Sequence, residues 1–210
     1  MPTDAADTQA ILARYPLQDR DASILDFNMR VLHWAERPDV PLLERLRYLC
    51  IVSSNLDEFF MKRIGGLKQQ VGANLKLLSI DGRTPQQQID EGYAVIRDLI
   101  GRQPNMEQDL LGQLARQDIH ILKYAQLSEE QRQRMATYFR DNIYPLLTPQ
   151  GMDPAHPFPF ISNLSLNLLV ATRHSEGEHV YLNRIKVPTT GAGIPRFIRV
   201  EPDRHVYVLF

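Results

Sequence analysis

The chain has 210 residues, of which 43% are hydrophobic, and this length and composition suffice to bury one or two compact cores. Its 24 lysines and arginines nearly balance its 25 aspartates and glutamates, which excludes the strongly basic field of a nucleic-acid-binding or membrane-surface protein. Cys50 is the single cysteine, which excludes an intrachain disulfide and is typical of a reducing compartment.

The N-terminal segment predicts a cytoplasmic location. Residues 1–7 are acidic and lack the apolar stretch of a signal peptide. No segment of the sequence approaches the apolar length that a membrane-spanning helix needs. We therefore expect this chain to reside in the cytoplasm.

Helical spacing dominates the chain up to about residue 115. Thr84 and Gln87 have the pattern of a capping box that starts a helix, and Pro104 is expected to end or kink that helix. Apolar residues also recur at intervals of three and four residues in two runs. The first run is Ile24, Phe27, Val31 and Ala35, and the second is Leu56, Phe60, Ile64, Leu67, Val71, Leu75 and Leu78. These patterns predict an N-terminal helical bundle spanning residues 1–115.

Residues 53–55, two serines and an asparagine, interrupt this helical pattern. Such residues are poor in helix interiors, where their side chains compete for backbone hydrogen bonds, but they are favourable at N-caps. Asn55 followed by Glu58 resembles a capping box. The sequence therefore predicts that one helix ends here and that a new helix starts near Leu56.

A helix junction of this kind would place Asn55 at an exposed corner where a ligand could bind. Asp57 and Glu58 would repel a phosphate from that corner. A neutral base edge would not be repelled, because an asparagine amide offers one donor beside one acceptor, which adenine N6 and N7 can pair with. The alternative is that Asn55 only caps the helix.

The second half, residues 116–210, mixes short β-like runs with one helix. Ser128 and Gln131 form a capping box that opens a helix reaching about Ile143. Strands are predicted at residues 119–122, 164–170, 180–182, 197–200 and 205–210, with a hairpin loop at residues 174–178. This half is predicted to be an α+β domain with an antiparallel sheet.

Four stretches resemble the N-terminal part of bacterial polyphosphate kinases of the long, histidine-phosphorylating type. They are residues 26–32 (DFNMRVL), 41–46 (PLLERL), 53–63 (SSNLDEFFMKR) and 153–168 (DPAHPFPFISNLSLNL). The resemblance implies that residues 1–115 form that family's helical N-terminal domain and that residues 116–210 form part of its head domain, which resembles a phox-homology fold. Two positions depart from the family pattern: Ile24 stands where a tryptophan is usual, and Trp34 stands where an acid is usual.

The resemblance also implies a function. In that family the asparagine before Leu-Asp-Glu helps to hold the adenine of ATP, and this role carries over to Asn55. The family reversibly transfers the γ-phosphate of ATP to polyphosphate through a phosphohistidine, with magnesium. The acceptor histidine, the magnesium ligands and the phosphate-gripping arginines lie in C-terminal domains outside the matched segment. We therefore assign no catalytic residue and no metal ligand to this chain, and we expect it to be inactive alone.

The expected cofactors are thus ATP and Mg²⁺, and the expected partners are ATP or ADP and polyphosphate, with no nucleic acid. The head domain implies a homo-oligomer, and membrane association of the complete enzyme stays open. A rival interpretation is a non-catalytic module that docks a protein or an anionic partner. The chain stops at Phe210 inside an apolar β-like run, which predicts a chain that has been cut short and counts against that rival.

Overall fold

A computed structural model describes residues 18–152, 158–173, 180–188 and 194–209. The chain divides into two compact units, Met1–Leu114 and Ala115–Phe210. The first unit is built from helices and the second combines helices with strands, so the predicted α+β class is confirmed. The assignment of residues 1–115 and 116–210 as separate domains stays a prediction. The predicted loop at residues 174–178 lies outside the described residues.

Every regular element described in the first unit is a helix. A π-helical segment continues the second helix directly into the third. The elements are α1 (Arg20–Glu36), α2 (Leu42–Phe59), the π segment (Phe60–Ile64), α3 (Gly65–Gly72) and α4 (Pro85–Ala115). The predicted capping box at the start of α4 is confirmed, because the Gln87 amide donates to Thr84 Oγ1 at 3.3 Å and the Thr84 amide donates to Gln87 Oε1 at 2.9 Å.

The core of this unit lies where α1, α2 and α4 meet. Leu32 from α1, Val52 from α2, and Leu99 and Leu110 from α4 are fully buried. Burial of one such side chain contributes roughly 1.5–3 kcal/mol relative to leaving it exposed. This apolar packing therefore fixes α1 against α2, and the candidate site described below is built from those two helices and the π segment.

The predicted helix break at residues 53–55 is wrong, because α2 is continuous from Leu42 to Phe59. The single proton of the Ser53 hydroxyl has two acceptors in reach, the carbonyl oxygen of Leu49 at 3.3 Å and Gln103 Oε1 at 3.0 Å. Asn55 donates to another helix, as described below. The Ser53 hydroxyl thus shares the Leu49 carbonyl with the helical backbone, while Gln103 and Asn28 lie outside α2, and the helix continues through both residues.

The end of α3 differs from the prediction, and of the two outcomes expected at Pro104 the helix end is excluded. The stripe that starts at Leu56 does not stay helical to Leu78, because α3 ends at Gly72. Asn74 there adopts a positive φ of 53°, and the Leu75 amide bonds back to the Gln70 carbonyl at 2.9 Å, which closes the helix end. By contrast, α4 passes through Pro104 without ending there.

The second unit contains one α-helix, several single-turn helices and six strands among its described residues. The helical elements are a 3₁₀ turn (Tyr124–Gln126), α5 (Glu129–Tyr138), a π turn (Phe139–Ile143) and a 3₁₀ turn (Tyr144–Leu146). The strands are β1 (Ile119–Leu122), β2 (Pro149–Met152), β3 (Asn167–Arg173), β4 (Val180–Lys186), β5 (Phe197–Arg199) and β6 (His205–Leu209). Ser128 caps α5 as predicted, since its hydroxyl accepts from the Gln131 amide at 3.2 Å.

These strands form two sheets of three strands each within the described residues. One sheet has the order β2–β4–β3 and is antiparallel, while the other has the order β1–β6–β5 and contains a parallel pair, β1 with β6. A parallel pair needs a long crossover between its strands, which the chain between β1 and β6 supplies. Strand β3 begins later than predicted, because residues 162–165 form a turn in which Leu164 has a φ of 53°.

Candidate functional site

A groove of about 370 Å³ lies along α1, α2 and the π segment. From α1 it receives Arg20, Ile24 and Phe27, which are spaced by four and three residues and therefore share one helix face. The other lining residues come from the neighbouring elements: Asn55, Glu58 and Phe59 from α2, and Lys62 and Arg63 from the π segment. The groove thus combines an amide, apolar and aromatic side chains, and several charges.

Asn55 lies half-buried in the interior of α2. The N-cap position of this helix is Pro41, so the alternative that Asn55 is an N-cap is wrong. The predicted exposed corner at a helix junction is wrong as well, because the backbone there continues as an α-helix. The side chain of Asn55 nevertheless lines the groove.

The amide of Asn55 is held by a second asparagine, Asn28 of α1. Asn55 Nδ2 donates to Asn28 Oδ1 at 2.8 Å. Asn28 is fully buried, with 0% of its surface exposed, and its own Nδ2 has no partner in the described part of the chain. An unsatisfied buried donor costs about 1–3 kcal/mol, so this position is unfavourable for stability compared with an apolar residue.

The pairing leaves Asn55 able to bind one further group. A primary amide has two N–H donors and an oxygen that can accept twice. One donor goes to Asn28, so within the described residues one N–H and the oxygen Oδ1 remain. A donor beside an acceptor matches the edge of adenine. Ile24 and Phe27, the latter half exposed, add apolar surface of the kind on which a base can stack.

Charged side chains line the rest of the groove, three basic and one acidic. Lys62 forms an ion pair with Glu58 one turn away, and the hydrogen bond from Lys62 lowers the pKa of Glu58. Arg63 lies with its Nε 3.3 Å from Asp21 Oδ1, and burial raises the pKa of Asp21 although Arg63 opposes that shift. Of the two acids expected to repel a phosphate, Asp57 does not line the groove and Glu58 is paired with Lys62, so that repulsion is partly offset.

Sequence reasoning missed Arg20, which lines the groove, and Asn28, which holds Asn55 from outside it. A signal for Asn28 was present, because Leu25, Asn28, Leu32 and Ala35 recur at three- and four-residue spacing and are all buried. An asparagine on such an apolar stripe indicates a specific partner. The four-residue interval between Arg20 and Ile24 likewise placed both on one helix face.

The residues that the structure describes provide no group of three or more histidines, cysteines, aspartates or glutamates that could bind a metal ion. No magnesium ligand set is therefore assigned to these residues. Among the same residues, every helix is too short or too polar to cross a membrane.

The second unit has a larger groove of about 690 Å³ with a different character. Its lining is mostly apolar and aromatic, with Tyr124, Met135, Phe139 and Ile143 among the contributors. Such a surface can bury a hydrophobic ligand or segment but offers few groups to orient a polar one. The groove along α1 and α2 is therefore the better candidate for a polar ligand.

Two family matches cover most of the chain. Residues 17–122 match the family described as the polyphosphate kinase N-terminal domain, and residues 130–210 match the polyphosphate kinase middle domain.

Individual curated proteins show the same similarity when they are compared with this chain one by one. The chain is 47% identical over 186 residues to a polyphosphate kinase of Synechocystis, covering 88% of this chain and 25% of the relative. It is 41% identical over 206 residues to a polyphosphate kinase of Streptomyces coelicolor, covering 98% of this chain and 27% of the relative. The chain thus spans about a quarter of the length of these relatives.

A solved structure shares the fold. The crystal structure of polyphosphate kinase from Porphyromonas gingivalis matches 90% of this chain and 28% of its own, with a TM-score of 0.65 and 26% sequence identity. The likeness thus extends over both units of this chain.

Proposed function

The chain belongs to the polyphosphate kinase family, and from this premise we propose that it supplies the adenine-side wall of the ATP site in an ATP:polyphosphate phosphotransferase. The single observation that carries the proposal is the half-buried amide of Asn55 in the groove, with a donor and an acceptor left over for a ligand. The family match also favours this function over a non-catalytic docking module.

The groove offers complementary groups for more than the base. An adenine edge would pair with Asn55, and its ring would pack against Ile24 or Phe27. Arg20, Lys62 and Arg63 then provide positive charge near the same ligand, which suits the phosphates of ATP or ADP. Lys62 and Arg63 already have acidic partners, so their net attraction for phosphate is partly offset.

The proposed reaction is reversible phosphoryl transfer. The bond between the γ-phosphorus of ATP and the bridging oxygen of ADP breaks, a histidine nitrogen accepts the phosphoryl group, and polyphosphate then takes it over. Catalysis of such a transfer is mainly positioning and charge neutralisation. The part of this chain is binding and orientation of the nucleotide, and no catalytic residue is assigned to it.

Magnesium would neutralise phosphate charge during this transfer. Because the described residues contain no suitable ligand group, no step through magnesium is derived for this chain. We also propose a cytoplasmic location, where ATP is available. Assembly of the complete enzyme as a homo-oligomer through the head domain, residues 116–210, belongs to the same proposal.

Steady-state kinetics test the role of Asn55. In a complete polyphosphate kinase that carries this segment, Asn55→Ala is expected to raise the KM for ATP by about tenfold with a smaller effect on kcat, as loss of ground-state binding does. Ser54→Ala is the matched control, since Ser54 is the exposed neighbour on the same helix. An unchanged KM in a well-folded Asn55→Ala enzyme would remove Asn55 from the nucleotide site.

A further inference from the structure

We infer that Asn28 is a positioning residue, which holds the amide of Asn55 in one orientation and thereby makes the groove prefer adenine to guanine. This inference rests on the proposed function for the nature of the ligand. The arrangement of the two asparagines is an observation of the structure. Asn28 lies outside the groove lining, so it acts on a ligand only through Asn55.

Burial of Asn28 is the first step of the argument. The side chain is completely buried on a helix face that otherwise carries leucine, valine and alanine. Its Nδ2 finds no hydrogen-bond partner in the described part of the chain, while its Oδ1 accepts from Asn55. An apolar residue of similar size would avoid the unsatisfied donor. The function of the amide therefore lies in its bond to Asn55.

The orientation of Asn55 is the second step. With Nδ2 turned to Asn28, the oxygen of Asn55 is the atom left free to accept. Adenine presents an amino donor at position 6, whereas guanine presents an acceptor, O6, at the same position. An amide that can turn over, so that its nitrogen and oxygen change places, can form a hydrogen bond with position 6 of either base. An amide held by Asn28 Oδ1 serves adenine, and turning it to serve guanine breaks the bond to Asn28 unless the Asn28 amide turns as well.

Two variants of Asn28 separate positioning from packing. Asn28→Leu has nearly the same size but cannot accept a hydrogen bond, so the Asn55 amide becomes free to turn. Asn28→Asp can accept from Asn55 but cannot donate when ionised, so it enforces the orientation seen in the structure. The aspartate also excludes the exchange of both amides, in which Asn28 would donate to Asn55 instead.

The experiment compares AMP with GMP on the ¹⁵N-labelled 210-residue chain. The Asn55 side-chain resonances are assigned from their absence in Asn55→Ala, and the initial slope of their shift with nucleotide concentration gives a relative affinity. We expect the wild-type chain and Asn28→Asp to favour AMP by about tenfold, the effect of roughly 1.4 kcal/mol from one amide pair. In Asn28→Leu the preference should fall to within about threefold.

A second measurement needs neither a nucleotide nor a folded variant of Asn28. One of the two Asn55 side-chain amide protons should exchange with solvent more slowly than the other in the wild-type chain, because it is bound to Asn28. Equal and fast exchange of both protons would overturn the inference. A folded Asn28→Leu chain that keeps the wild-type preference for AMP would also overturn it. Slow exchange without any nucleotide-induced shift would refute adenine preference and the proposed function, while retaining the asparagine pair.

Discussion

The guanidinium of Arg45 is a buried charge whose contacts connect three helices. Arg45 Nε donates to the carbonyl of Ala35 at 2.8 Å, and its Nη1 donates to Gln113 Oε1 at 3.3 Å. The Ala35 carbonyl belongs to the last turn of α1, where carbonyls lack helical partners. Asp109 lies 3.7 Å from Arg45 and supplies the opposite charge. Arg45 therefore closes the end of α1 against α2 and α4.

Replacement of Arg45 by methionine tests this residue. Arg45→Met keeps most of the apolar stem but leaves the Ala35 carbonyl without its charged donor, so we expect a loss of about 2 kcal/mol in the free energy of unfolding. Arg47→Met is the matched control on the same helix, because Arg47 is largely exposed and its change should stay within about 0.5 kcal/mol. Denaturant unfolding measures both. Equal losses in the two variants would contradict the role of Arg45.

The sequence singled out Asn55 as the candidate site residue, and this assignment stays a prediction, whereas the conformation around it was predicted wrongly. Asn55 was recognised from its side-chain chemistry and from the stretch that follows it, and the structure places it in a groove. Its local conformation was predicted wrongly, because the partners that permit Ser53 and Asn55 inside a helix, Gln103 and Asn28, are distant in the sequence. Local propensity contains no information about such partners.

At the scale of elements, a short loop before α4 is fastened to the start of α1. Asp81 Oδ2 accepts a hydrogen bond from the Asp19 amide at 3.1 Å, and Asp19 is the N-cap of α1. Asp81 also bonds to the hydroxyl of Ser79 and pairs with Arg83. Gly82 allows the turn, since its φ is 82° and its amide donates to the Ser79 carbonyl at 2.9 Å.

The pH dependence of stability tests this loop. Desolvation raises the pKa of Asp81, but hydrogen bonds from Ser79 and Asp19 and the charge of Arg83 outweigh it, so the pKa is below its usual value of 3.8. A carboxyl whose pKa is lowered by folding stabilises the protein at pH values above the pKa that this carboxyl has in the unfolded chain. The stabilisation is lost as the pH falls through the pKa that it has in the folded chain. We therefore expect thermal stability to fall less steeply below about pH 4 in Asp81→Asn than in the wild-type chain.

Melting temperatures between pH 2 and pH 7 measure this slope. Asp90→Asn removes one exposed negative charge from α4 and controls for net charge. A wild-type slope in Asp81→Asn would contradict the contribution of the loop.

Elements with a local signal were predicted well. In the capping boxes of α4 and α5, a side chain bonds to a backbone amide only three residues away. The whole motif therefore lies within a short stretch of the sequence. The parallel pairing of β1 with β6 joins residues that are far apart in the sequence, and nothing local encodes it. The second unit was therefore predicted as a single antiparallel sheet.

At the scale of the whole molecule, each unit has its own hydrophobic core. The buried residues of the first unit include Leu32, Leu99 and Leu110, whereas those of the second unit include Val206 and Val208. The two sets have no residue in common. Units with separate cores are candidates for independent folding.

Expression of residues 1–115 alone tests this independence. We expect a helical, cooperatively unfolding and monomeric protein, because the core of the first unit lies within these residues. Circular dichroism and light scattering measure these properties. Arg45→Met should destabilise this shorter chain by the same ~2 kcal/mol as the 210-residue chain. A non-cooperative transition, or an aggregated product, would show that the first unit depends on other parts of the protein.

The central claim is that the groove along α1 and α2 contacts adenine, and transferred nuclear Overhauser effects from AMP to the 210-residue chain test it most directly. A single amide pair supports binding no tighter than about millimolar, which suits this method. We expect adenine H2 and H8 to show effects to the side chains of Ile24 and Phe27, together with a shift of the Asn55 side-chain amide. Effects confined to the groove around Tyr124, or none under conditions in which AMP binds, would contradict the claim.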